Sequence, residues 1–173
     1  MTAQAEIAAF RFGYGLPLPQ GAPVEGPGLL AQLAGPDPAL TLWPGPDAAA
    51  VMALHAHSIA ARDLARKTPP KSPERKAHGR VLREVRAQED QILRLTLARA
   101  LDSPDGLRER LVWFWADHFT ALPRLRDQRG VTVSRIDHAI RPHVAGRFID
   151  LLQAAELHPS MLIALDQVAS VGP

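Results

Sequence analysis

The chain has 173 residues, 46% of them apolar and 22% charged, the balance of an ordinary soluble domain that buries roughly two thirds of its unfolded surface. Its formal charge of +2 does not demand a polyanionic partner. The absence of cysteine excludes disulfides and thiolate metal sites. No apolar run approaches the roughly 20 residues that span a bilayer. The start, Met1 to Phe10, lacks a basic region and carries Glu6 where a leader is apolar. These features lead to the expectation of one cytoplasmic domain over residues 1–173.

Sixteen prolines, about twice the usual share, imply many chain breaks. Residues 1–46 read as short elements: a brief helix over Ala3 to Phe10, a turn at Gly13-Tyr14-Gly15, and a turn or two of helix over Gly28 to Leu33. An alanine-rich helix then runs from an Asp47 N-cap to about Lys67. Lys67 to Pro73 is a proline-rich connection to a second long helix over Glu74 to Leu101. There Leu82, Val85, Ile92, Thr96 and Ala100 recur at helical spacing. Ser103 as N-cap, Pro104 at the first helical position and Asp105 at the positive end predict a third helix. A fourth is expected from Ser134, kinked or restarted at Pro142 and continuing to Leu157, with a last short helix over Pro159 to Leu165. No alternating strand pattern or repeat occurs. The expected class is all-α, an irregular multi-helix bundle with a loop-rich, Pro/Gly-rich N-terminal segment.

Residues 109–120 hold two of the three tryptophans, two of the five phenylalanines and His118. At about 100° per residue, Leu107, Leu111, Phe114, Trp115, His118 and Leu122 fall within an arc of roughly 100°. That arc predicts a core face with His118 in its middle. It turns Trp113 outward beside Glu109 and Asp117, as a candidate contact surface. His118 reads either as a satisfied core histidine or, with Asp117, as a catalytic candidate. After Pro142, Val144, Phe148, Leu151, Leu152 and Ala155 share one face, and His143, Arg147 and Asp150 the other. Arg147 with Asp150 predicts a surface ion pair. Arg141, His143 and Arg147 together form a candidate anion site.

Four of the seven histidines, His118, His138, His143 and His158, lie in the last 56 residues. His138 and His143 are five apart with Pro142 between them, where helical metal ligands want three or four. No metal or cofactor is expected. Dinucleotide, Walker and nucleophile-elbow motifs are all missing. Residues 62–86 hold nine basic residues against three acidic ones, a local charge of +6 that leaves −4 on the rest of the +2 chain. Such a segment attracts phosphates or anionic lipid, but no aromatics interleave for base stacking. Nucleic acid is therefore not the expected partner, and a solvated loop explains the charge equally well.

Arg11-Phe12-Gly13-Tyr14-Gly15, the stretch Glu109 to Phe119 (Glu-Arg-Leu-Val-Trp-Phe-Trp-Ala-Asp-His-Phe), Ile140 to Leu152, and His158-Pro159-Ser160-Met161-Leu162-Ile163-Ala164-Leu165-Asp166 occur in this order. Together they resemble the bacterial family known as domain of unknown function 1800, over nearly the whole chain. The resemblance implies a helical bacterial protein without an assigned activity. Family members are often encoded beside sulfatase-like proteins, and many carry export signals. Two positions depart from the pattern: Asp117 and Gln167 stand where the family usually has Asn. Family members also continue past the region of Ser170 to Pro173 into a motif rich in Asn, Glu and Arg, so the chain looks like the N-terminal portion of such a protein. The leading expectation is a scaffold or interaction module, its partner the missing C-terminal region or another protein. The alternatives are part of a hydrolase-like enzyme and polyanion binding through residues 62–86.

Overall fold

The structure, a computed structural model, describes residues 3–16, 21–167 and 170. Among them all regular structure is helical. The elements are α1 (Ala3–Phe12), α2 (Gly26–Ala34), α3 (Pro38–Leu42), α4 (Ala48–Arg66), α5 (Pro73–Asp102), α6 (Gly106–His118), α7 (Arg129–Arg135), α8 (Phe148–Glu156) and α9 (Pro159–Ala164). A 3-10 turn (Arg126–Gln128) precedes α7; a π turn (Ile136–Ile140) and another 3-10 turn (Arg141–His143) follow it. The fold is an all-α multi-helix bundle. None of the described helices is long and apolar enough to cross a membrane.

The prolines start helices more than they break them. Pro27, Pro38, Pro73 and Pro159 stand in the first positions of α2, α3, α5 and α9, where a missing N–H costs nothing. Side-chain caps accompany them: Asp47 accepts from the Ala50 N–H at 2.6 Å and Ser72 from Arg75 at 3.3 Å. The expected Ser103 cap is corrected by two residues. Ser103 ends α5, and Asp105 caps α6, accepting from Arg108 N at 3.1 Å and from Arg108 Nε at 2.8 Å. An acid that caps and pairs at once outcompetes a serine. The helix expected from Ser134 also differs: α7 begins at Arg129, and the chain leaves α geometry before Pro142 to restart at Phe148. Gly130 hid that start, because glycine is a poor helix former; a Cβ there would lie 2.6 Å from Gln88 Oε1.

Two apolar clusters form the core. Val51 of α4, Ile92 of α5 and Val131 of α7 build one. Val112 of α6, Ile140, Val144, Leu151 of α8 and Met161 of α9 anchor the other. Full burial of such a side chain stabilises by about 1.5–3 kcal/mol. Along α5 the buried stripe is Val81, Val85, Ile92, Thr96 and Arg99, close to the apolar spacing but with a charge at its end.

Arginines join the N-terminal helices to this core. Helix ends leave carbonyls without partners, and α2 and α3 have no basic residue in their last turns. Arg108 Nη2 donates to Leu33 O, in the last turn of α2, at 2.6 Å and to Gly35 O, just past it, at 2.9 Å. Arg110 Nη1 donates to Gly13 O at 2.6 Å, past the end of α1. Arg99 Nε reaches Trp43 O, after α3, at 3.1 Å. The close approach of α1 to α6 needs glycine: a Cβ on Gly106 would lie 3.0 Å from Phe12 O and 3.1 Å from Gly13 Cα. Gly15, at φ 77°, then turns the chain through the left-handed region.

Candidate functional site

Helix α6 buries Arg108, Glu109, Val112 and Ala116. This stripe is rotated by about 120° from the apolar arc that the spacing predicts. Glu109 therefore does not lie on an outward face with Trp113. Its two carboxylate oxygens accept from Arg141 Nη1 and Nη2, both at 2.7 Å, and both side chains are fully buried. Arg141 Nη1 also donates to Asp37 Oδ2 at 3.1 Å, and Asp137 Oδ1 lies 3.8 Å from Arg141 Nε. Asp137 accepts in turn from Arg99 Nη1 at 2.5 Å. Two guanidinium groups and three carboxylates thus interlock where apolar packing is the usual solution. Burial alone lowers the Arg141 pKa; the hydrogen bonds and charge of Glu109, then those of Asp37, outweigh it and raise the value. Tyr14, whose hydroxyl donates to Glu109 O at 3.3 Å, is pushed up to about 12 by burial and then by the Glu109 charge.

The opposite face of α6 is aromatic and open. Phe114 is 59% exposed and Trp113 40%, and Phe148 from α8 is 55% exposed. Trp115 joins them: its ring centroid lies 4.9 Å from Phe114, 5.5 Å from Phe148, 5.4 Å from His118 and 5.7 Å from the buried Phe119. Several core expectations are corrected here. His118, Phe114, Leu122 and Phe148 are exposed, because the ion pairs of Arg108 and Glu109 claim the inner side. His118 stacks at 6.4 Å on Phe114. Asp117 is exposed too, and no hydrogen bond joins its carboxylate to His118.

Arg141, His143 and Arg147 do not converge. Arg141 is turned into the core, whereas Arg147 lies on the surface and donates to both Asp150 oxygens at 2.9 Å. His143 lines a shallow recess with Asp150 and Leu157. Among the described residues no three His, Asp or Glu side chains gather as metal ligands.

Elsewhere the structure places chemistry that the spacing does not single out. His138 and His158 lie with ring centroids 6.4 Å apart beside a cleft of about 320 Å³ that Ser134 also lines. His158 Nδ1 accepts from the Ser160 N–H at 3.2 Å, capping α9, so Nε2 carries the proton of the neutral ring. Burial first, then the positive charges of His138 and Arg135, push the His158 pKa down to about 4. Arg135 is buried with Nε and Nη1 unpartnered; its pKa is lowered by burial. Of the residues in the buried network only Glu109 and Arg141 lie in the quoted motifs, where each reads as a surface residue.

Residues 19–173 match the family described as Protein of unknown function (DUF1800). The chain belongs to this family. The match takes in α6 with its aromatic motif, the turns through Arg141, and α8 and α9, so both faces of α6 lie within the family region. Comparison with curated proteins and with solved structures finds no match in either.

Proposed function

We propose that this helical domain acts as an interaction module that presents the outward face of α6, together with Phe148, to a protein partner. One observation carries the reading: Phe114, Trp115, His118 and Phe148 form a continuous ring-to-ring surface whose two phenylalanines are more than half exposed. Aromatic side chains contribute large contact area at little cost in entropy, and contiguous exposed apolar patches mark binding surfaces. The buried ion-pair network beneath holds α6 rigidly, which lowers the ordering cost of docking. A photoreactive amino acid at position 114, in the full chain in its native host, tests this. A discrete protein adduct from position 114, absent from the same probe at the exposed Lys71, is expected. Indistinguishable adducts from both positions sink the proposal.

A second reading, polyanion binding, has its own support on α5. Arg75, Lys76, Arg80, Arg83 and Arg86 are exposed, fall within about 140° of one another around the helix, and make no ion pair among the described residues. Heparin affinity that falls steeply with salt, and weakens when Arg80, Arg83 and Arg86 become Gln, is the expected behaviour. Affinity that does not respond to salt excludes this reading.

A further inference from the structure

Helix α4 and α9, with the 3-10 turn before α7, enclose a groove of about 460 Å³, within the range of small-molecule sites. Its walls are apolar, with Met52 and Ile59 on α4, Leu125 beside the turn, and Leu162 and Ile163 on α9. Two polar side chains enter it from α4. His55, only 8% exposed, places Nδ1 at 2.9 Å from the main-chain oxygen of Asp127. A carbonyl only accepts, so Nδ1 carries a proton, and in the neutral ring Nε2 keeps its lone pair. Nε2 has no partner among the described residues, and the ring lines the groove. Arg62, seven residues on and on the same wall, gives Nη1 to Asp127 Oδ2 at 2.5 Å and leaves Nη2 unpartnered.

Nε2 is not among the side-chain atoms sealed from solvent without a partner, so it is reachable from the groove, and a ligand's donor can replace the water it otherwise accepts from. Here the Asp127 carbonyl locks the imidazole in one tautomer and one orientation, so the open acceptor is preorganised. The geometry points to a small-molecule site in which His55 Nε2 accepts a hydrogen bond from a compact, mostly apolar and uncharged ligand, and Arg62 Nη2 donates to the same head group. An alcohol or an amide meets both requirements: the alcohol donates and accepts at its one oxygen, the amide at the nitrogen and oxygen of one head group. A carboxylate does not, because it offers no proton to Nε2, and Asp127 already holds one side of the Arg62 guanidinium. Neither histidine nor groove belongs to the aromatic face of α6, and the inference is independent of the interaction proposal.

The test is a titration of the whole chain with cyclohexylmethanol, cyclohexanecarboxamide and methylcyclohexane, following the imidazole carbon-bound proton signals of His55 by NMR. The alcohol and the amide are expected to shift those signals saturably, at least tenfold more tightly than the hydrocarbon. Ile59→Trp, which fills the groove from a partly buried wall position, is expected to abolish binding of all three. His55→Leu, followed through amide signals of α4, is expected to bind alcohol and hydrocarbon alike. If that variant does not fold, the alcohol-to-hydrocarbon ratio in the unaltered chain decides the role of His55. Equal affinity for alcohol and hydrocarbon overturns the inference, as does undiminished binding in the Ile59→Trp variant or the absence of any saturable shift.

Discussion

The two sides of α6 exchange the usual places of charge and grease. Arg108 and Glu109 are buried on one, while Trp113 and Phe114 are open to solvent on the other. Partnership explains the inner side. Glu109 is held by two bonds from Arg141, and Arg108 by Asp105 and the carbonyls at the end of α2. A buried charge is tolerated when paired and hydrogen-bonded; Arg141 leaves only its Nε without a hydrogen bond, and the paired arginines also tie α2 and α3 to the core. On the outer side no described residue covers Phe114 or Phe148, and more than half of each ring stays in water. The inner face thus concerns stability, and the outer face is the one proposed to bind.

The sharpest way to break this division is to remove one inner partner. Glu109→Ala leaves buried Arg141 with Asp37 as its one hydrogen-bonded carboxylate, and a loss of about 3–5 kcal/mol is expected in urea unfolding. Because the two residues act as a unit, Glu109→Leu combined with Arg141→Met is expected to cost clearly less than the sum of the single changes. An additive result shows that the pair is not coupled and that the division is wrong.

The next effect concerns His158. Its value is near 4 in the fold against 6.5 in the unfolded chain, so between those pH values the unfolded state binds the extra proton. Its contribution is complete above pH 6.5 and is lost as the pH falls toward 4. The urea midpoint is expected to drop between pH 7.5 and pH 5. In His158→Asn, where an amide oxygen still caps α9 at the Ser160 N–H, that drop is expected to shrink. An unchanged pH profile removes His158 as its cause.

On the outer face, Phe114→Ser is expected to change stability by less than about 0.5 kcal/mol, since the ring is mostly in water. A larger loss in thermal or urea unfolding would move Phe114 to the inner side of the comparison. Smallest of all, Arg147→Ala at the exposed pair with Asp150 is expected to leave the unfolding midpoint unchanged, because water and salt screen such pairs.

Much of the helical frame was legible in the chain. Asp47 caps α4 and Pro159 opens α9, as simple rules of backbone donors and fixed φ require. The Gly13-Tyr14-Gly15 turn was legible too, because glycine takes the φ of 77° found at Gly15 without steric cost. Helix α3 was not foreseen, because five residues between prolines carry no periodicity. The site was less legible than the fold. The histidine expected in the core, His118, stands in solvent, whereas His55, exposed by no pattern, lines a groove with a free ring nitrogen.

What the sequence determined by itself is local: which stretches are helical, where most of them begin, that no strand pattern competes, and which family the motifs signal. Those properties depend on backbone donors, side-chain entropy and short-range caps, all contained in neighbouring residues. Which side of α6 is buried depended on Arg141, 32 residues from Glu109, and on Asp37, 104 residues from Arg141. Pairing between distant charges cancels the desolvation cost that any apolar-period argument assigns to each of them alone. Only the tertiary structure brings those partners together, and so only it decided that charge faces inward and the aromatic rings face out.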